Sequence, residues 1–232
     1  MIHFPELESL GLRVAAMTER CDGDCRTAGP GSPRDACCGV LGVPPESLVC
    51  GRQVHGVTIA VAGEEARGCG APGHETALPA TDGLLTALPG LPLAVFVADC
   101  VPVFLFAPEA GAAGLVHAGR QGTRANIVGR AVRLLVERLG AAPGGVHAFI
   151  GPSAGPGRYE VSETLAADWE EAGLPCRGRL LDLWEANRRQ LCAAGVPDHQ
   201  IHLAGICTIE DGRFFSYRRG DQTSRNMALL MI

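Results

Sequence analysis

LAVFVADCVPVFLF (93–106) and GLVHAGRQGT (114–123) are two apolar runs of strand length, and polar residues interrupt the first and close the second. A continuous apolar stretch of four to eight residues rich in Val and Phe reads as a strand buried on both faces. The strand-like runs are LGLRVAAM, SLVCGRQV, VTIAVA, DGLLTA, LAVFVA, VPVFLFA, AAGLVHA and HAFIG. Helical periodicity follows them: Ile127, Val128, Ala131, Leu134, Leu135 and Leu139 form one stripe within 123–140, with arginines off it. A second helix is expected from Ser162, whose hydroxyl suits an N-cap, and a third over 183–194, ending at Gly195. Strands that come as a group before the helices favour an α+β sandwich over a regularly alternating doubly wound sheet. A chain of 232 residues that is 47% hydrophobic can bury a full core, and a single domain over 1–232 is expected.

Composition narrows the chemistry. The net charge of −5 offers no basic stripe able to neutralise many phosphates, so nucleic acid is not expected as a partner. All 20 basic residues are Arg, which excludes lysine Schiff-base chemistry and a Walker-type lysine. Any phosphate must meet arginine or backbone N–H. The opening MIHFPELESL has no basic segment followed by an apolar core, and no run reaches membrane-spanning length, so a cytoplasmic protein without a membrane partner is expected. There the ten cysteines stay reduced. Cys21, Cys25, Cys37 and Cys38 lack the spacing of a zinc knuckle and read as free thiols on a loop. The Gly/Pro-rich stretches 26–35 and 68–80 read as surface loops.

His55 in QVHG, Cys100 in ADC and His117 in VHAG are residues able to bind a metal or attack a carbonyl. Their spacing alone does not make a metal motif. A cysteine in an apolar strand is commonly a small core residue, and either histidine could serve a turn or a strand end. Asp99 raises the interest of the group, because a carboxylate in an apolar run is costly to bury unless paired or used. IGPSAGPGRYEV (150–161) surrounds Ser153 with glycines and prolines, a composition that lets backbone N–H approach an anion or a nucleobase; a plain strand-to-helix turn is the competing reading. FFSYRRGDQTSR (214–225) sets Arg218, Arg219 and Arg225 beside Tyr217, as a phosphate or carboxylate site or as a solvated basic segment.

Taken in order, QVHG, TDGLLT, ADCVPVFLF, VHAG, IGPSAGP-x2-YEV, Gln190-Leu191 before AGV, Cys207-Thr208 and FFSYRR resemble the laccase-domain family, also called the YfiH-type or multicopper polyphenol oxidase family, from about Ser47 onward. The resemblance implies a four-layer α/β/β/α sandwich and a zinc site made by His55, Cys100 and His117, with copper as the alternative metal in isolated protein. Three protein ligands leave a fourth position for water or substrate. It also implies purine nucleoside chemistry: phosphorolysis of adenosine, inosine or methylthioadenosine with inorganic phosphate as partner, or adenosine deamination, with Asp99 as the proton shuttle. Gln53, Ser153, Tyr159, Arg218, Arg219, Arg225 and Arg20 become candidate substrate contacts. The sequence departs from the family pattern in HAGRQGT, where the usual HAGWRG loses its Trp and Arg stands at 120. It departs again at Gly157 and Arg158, which replace paired cysteines, and in a shorter front end. Multicopper laccase chemistry is not expected from seven histidines, most of them outside the motifs. The rival classes are a metal-free cysteine hydrolase or amidase using Cys100 and His117, and a non-enzymatic purine-binding protein.

Overall fold

In the computed structural model, which describes residues 1–232, the run 93–106 divides at Asp99-Cys100 into β6 (Leu93–Val97) and β7 (Val101–Ala107), and the run 114–123 carries most of β8 (Ala112–Ala118), the neighbour of β7. β7 and β8 pair antiparallel, with Val103 opposite Val116 and Pro102 opposite His117. Alternation then sends their side chains to two different layers. Val101, Val103, Leu105, Val116 and Ala118 enter one core, while Phe104, Phe106, Ala113 and Leu115 enter another. Both faces are dry, which is why the sequence shows no polar alternation.

The remaining strands are β1 (Ile2–His3), β2 (Val14–Met17), β3 (Val49–Cys50), β4 (Ile59–Val61), β5 (Gly83–Thr86), β9 (His147–Ile150), β10 (Cys176–Arg177), β11 (Leu180–Leu181), β12 (Ile201–Leu203) and β13 (Asn226–Met231). The helices are α1 (Pro5–Glu8), α2 (Pro33–Val40), α3 (Arg120–Arg124), α4 (Ile127–Leu139), α5 (Glu163–Glu171) and α6 (Leu183–Ala193). One sheet runs β12-β9-β7-β8-β5-β4, the other β1-β2-β13-β6-β3, and β10 with β11 forms a small hairpin.

The outer face of the six-stranded sheet packs on α4, α5 and α6 through Ile127, Ala131, Leu135, Trp169 and Leu191. Between the sheets lie Met17, Leu93, Val95, Phe104, Leu115 and Leu230. The outer face of the five-stranded sheet, with Val14, Ala16 and Leu229, meets Cys37 and Cys38 of α2. Helix, sheet, sheet, helix is thus the order of the layers, and the α+β sandwich is the observed fold.

Helix boundaries follow their caps. The Asn126 side chain accepts from Gly129 N–H to start α4, and Gly140 ends it at φ 72°. Ser162 accepts from Leu165 N–H at α5 and Asp182 from Glu185 N–H at α6. The eight strand-like runs all contain strands. Two expectations need correction. The stretch 26–35 is not loop throughout, because Ser32 caps α2, which begins at Pro33. Nor do all the early cysteines lie on a loop: Cys37 and Cys38 belong to α2, and both are buried with Cys25. Cysteine here supplies the small apolar stripe of a short helix. Strand β13, absent from the sequence reading, fills the centre of the five-stranded sheet between β2 and β6.

Candidate active site

The chain passes from one sheet to the other at two adjacent places. Residues 98–100 link β6 to β7, and residues 51–58 link β3 to β4. Cys100 lies on the first crossover, His55 on the second, and His117 near the end of β8. Their ligand atoms all lie within 4.8 Å of one another, and the two imidazole rings are 4.9 Å apart in an edge-on arrangement. The remaining five histidines join no comparable group.

The crossovers are strained at His55 and at Asp99, next to Cys100. His55 sits at φ 61° and Asp99 at φ 82°, conformations unfavourable for residues with a Cβ and maintained only when their surroundings over-determine them. Asp82, at the entrance to β5, does this for His55. Its buried carboxylate accepts from the backbone N–H groups of Val54 (3.2 Å), His55 (3.0 Å) and Gly56 (2.8 Å). It also pairs with His117 Nδ1 at 2.9 Å. An ionised Asp82 therefore holds the proton on Nδ1, so that in the neutral imidazole Nε2 is the atom able to act as a ligand. Gly119 completes the enclosure, since a Cβ there would stand 3.0 Å from Cys100 Sγ and 3.0 Å from the His55 ring.

Electrostatics follow from this packing. Burial would push the Cys100 thiol up, but the facing His117 and His55 outweigh it and bring it down to about 6. Burial would lower His117, yet Cys100 and Asp82 raise it to about 9. Burial opposes ionisation of Asp82 as well; His117 and the backbone donors win and hold it below the usual carboxylate range. A soft thiolate and two imidazoles, one already oriented by a carboxylate, form a donor set suited to zinc.

The triad opens into a cavity of about 620 Å³. Arg26, Arg34, Arg120, Arg218 and Arg225 line it, and Asp99 is its single carboxylate. Phe96, Tyr159 and Tyr217 supply aromatic surface, with Arg34 over Phe96 and Arg218 over Tyr159, each 4.6 Å from the ring centre.

Of the residues singled out from sequence, His55, Gln53, Asp99, Cys100, His117, Tyr159, Arg218 and Arg225 converge here. Three do not line the cavity. Ser153 is buried, donating to Gly151 O and accepting from Trp184 Nε1. The N–H groups of Ser153 and Ala154 are also engaged, on Ile206 O and Asp99 O. Arg20 pairs with Asp221 and covers Phe215. Arg219 donates to the carbonyls of Thr208, Asp211 and Phe214. Two of the converging side chains are engaged with the fold. The Gln53 amide bonds both N–H and C=O of Phe96, and the Asp99 oxygens accept from Thr208 Oγ1 (2.7 Å) and Arg218 N–H (2.7 Å).

Sequence reasoning missed Asp82, Arg26 and Arg34. Asp82 carried a signal, a carboxylate at the head of the apolar run DGLLTA, of the same kind that drew attention to Asp99. Arg26 and Arg34 carried none, because only tertiary contact brings the front of the chain to this cavity.

This fold and donor set place the protein in a class known from sequence: the chain belongs to the multi-copper polyphenol oxidoreductase laccase family, which matches residues 31–232. The match begins earlier than Ser47. Among relatives, the chain is 42% identical over 198 residues to purine nucleoside phosphorylase YlmD of Geobacillus stearothermophilus, covering 81% of this chain and 72% of that protein. It is 39% identical over 208 residues to a purine nucleoside phosphorylase of Corynebacterium glutamicum, covering 87% and 80%. The crystal structure of YlmD from Geobacillus stearothermophilus superposes with a TM-score of 0.83 at 36% identity, covering 94% of this chain and 91% of that one. The Bacillus licheniformis hypothetical protein YfiH gives 0.80 at 33% identity, covering 86% and 79%. No helix of the chain is long and apolar enough to cross a membrane.

Proposed function

We propose that the protein is a purine nucleoside phosphorylase with zinc held by His55, Cys100 and His117. The observation that carries this reading is the cavity itself, in which three metal-ligating side chains face a chamber lined by five arginines and one engaged carboxylate. Relatives named as purine nucleoside phosphorylases at about 40% identity support it.

Phosphorolysis joins a phosphate oxygen to C1′ of the ribose as the C1′–N9 bond breaks, and the departing purine takes the electron pair and a proton. An arginine-rich chamber answers the first requirement, since guanidinium forks match phosphate oxygens. Zinc, when bound, supplies a Lewis acid and a fixed positive charge beside the reacting centre. The protein's own part is orientation. Asp82 fixes His117 and the His55 loop, Asp99 fixes the 216–219 segment through Arg218 N–H, and the aromatic side chains offer faces to the base.

Deamination is the less favoured activity because it needs a carboxylate to move a proton, and the single carboxylate of the cavity, Asp99, is hydrogen-bonded through both oxygens. Asp99 is therefore assigned a positioning role.

The test is product analysis of zinc-loaded protein with adenosine and with inosine, with and without inorganic phosphate. Base release that requires phosphate, and that is lost on chelation and restored by zinc, is the expected result. Inosine formed from adenosine without phosphate would replace phosphorolysis by deamination. Activity in metal-free protein that iodoacetamide abolishes would point to the cysteine hydrolase class, and binding of nucleosides without turnover to a binding protein.

A further inference from the structure

Two arginines on one wall of the cavity come from opposite ends of the chain. Arg26 follows the segment 21–25, and Arg225 immediately precedes β13. Asp24 fastens these segments together, its Oδ1 accepting both Arg26 N–H (3.0 Å) and Arg225 N–H (2.9 Å), while Cys25 N–H donates to Arg225 O. Arg26 Nη1 donates to Thr223 O at 3.3 Å, so its side chain lies along the segment that carries Arg225.

Neither guanidinium forms an ion pair with a carboxylate, although this chain has 25 acidic residues to 20 arginines. In both, only Nη1 is engaged: on Thr223 O in Arg26, and on Gln222 O and Ser224 O in Arg225. The Nε–Nη2 edge, which presents two parallel N–H groups to two oxygens of a tetrahedral anion, makes no hydrogen bond in either residue. Two neighbouring like charges, one of them half-buried, are unfavourable unless an anion joins them. Burial, and after it the neighbouring Arg26, weaken the charged form of Arg225, and both guanidinia line the cavity that holds His55, Cys100 and His117. Arg218 likewise engages only Nη1, on Glu160 O, but its guanidinium lies over Tyr159, and neither it nor Arg120 shares the Asp24 brace that holds Arg26 and Arg225 side by side.

We infer that Arg26 and Arg225 form the phosphate subsite of the cavity, gripping one phosphate between their two free Nε–Nη2 edges, with Asp24 as the positioning residue. This assignment rests on the phosphorylase reading and identifies which arginines serve its co-substrate. Phosphate could arrive as inorganic phosphate or as the phosphate of a nucleotide, and the chemistry of the subsite is the same for both.

The experiment uses the zinc-loaded protein and four variants: Arg26→Gln, Arg225→Gln, Arg26→Lys, and Arg189→Gln as a control of equal charge change on α6, outside the cavity. Inorganic phosphate binding is measured by calorimetry, independently of turnover, and steady-state purine release is measured with phosphate and nucleoside varied separately. The expected result is that each Gln variant weakens phosphate binding and raises the phosphate KM about tenfold or more, with nucleoside KM changed by less than about threefold. Arg26→Lys retains an intermediate affinity, because charge remains while the fork is lost. Arg189→Gln behaves as the parent protein. Parent protein that binds phosphate without releasing purine would remove the phosphorylase reading while leaving the subsite standing on the binding data. Unchanged phosphate affinity in both Gln variants, or equal shifts in phosphate and nucleoside KM, would overturn the subsite. A nucleoside monophosphate that binds the parent more tightly than inorganic phosphate, and loses that advantage in both Gln variants, would keep the subsite and make a nucleotide its source of phosphate.

Discussion

Replacing Asp82 with Asn removes one charge and almost no volume from the point where the proposed metal ligands are oriented. The carboxylate serves four donors, three backbone N–H groups of the 54–56 segment and His117 Nδ1. The backbone donors belong to a partly exposed segment, where water can replace a lost partner. His117 is 2% exposed, and no water can take the place of Asp82 beside it. The consequence should therefore fall on the imidazole. A hydrogen bond to a charged partner contributes about 1.5–3 kcal/mol. At about 1.4 kcal/mol per tenfold, that corresponds to a loss of zinc affinity of about tenfold to a hundredfold, the usual range for a carboxylate behind a metal-bound histidine. Competition of purified protein with a chromophoric chelator measures the affinity, and thermal unfolding of the metal-free form checks that the variant remains folded. Zinc bound equally tightly by a folded Asp82→Asn protein would refute the argument, because the metal would then not depend on the orientation of His117.

In metal-free protein Cys100 should react with iodoacetamide along a pH profile centred near 6, while Cys38 and Cys50, pushed up to about 11 and 12 by burial, stay unmodified at neutral pH. Mass mapping after a short pulse tests this, and zinc should protect Cys100; a Cys100 profile centred near an ordinary thiol would contradict the influence of the two histidines. Arg219→Ala removes a guanidinium that holds three carbonyls outside the cavity, so it should lower stability by about 1–3 kcal/mol without raising the phosphate KM selectively. A selective rise would return Arg219 to the phosphate site. Leu105→Ala, fully buried between the six-stranded sheet and the helices, should cost about 2–5 kcal/mol in urea unfolding, and a loss below about 1 kcal/mol would mean that this core is looser than its burial indicates.

Strands and long helices were legible in the chain because their causes are local. β7 and β8 are continuous apolar runs since both their faces are dry, and α4 shows a 3.6-residue stripe between an Asn cap and a terminal Gly. Cys100 and His117 were visible as reactive residues in such runs and His55 only in its motif QVHG, and the convergence of these three candidate ligands was reached only through the resemblance of the ordered motifs. Helix α2 stayed hidden because its buried stripe is built from cysteines in a Gly- and Pro-rich stretch. Strand β13 followed an arginine-rich segment that drew the reading toward a basic surface, yet it pairs with β2 more than two hundred residues away.

What the sequence by itself determined is therefore the inventory: which runs are strands, which are helices, and which side chains are chemically able to act. Tertiary structure decided the assignments among chemically equivalent residues. It turned Arg219 and Arg20 toward carbonyls and Asp221, brought Arg26 to Arg225, and gave Asp82 rather than Asp99 to His117. An arginine or an aspartate has the same chemistry wherever it stands in the chain. Its partners depend on where two sheet crossovers and a distant chain end meet, and no local pattern encodes that meeting.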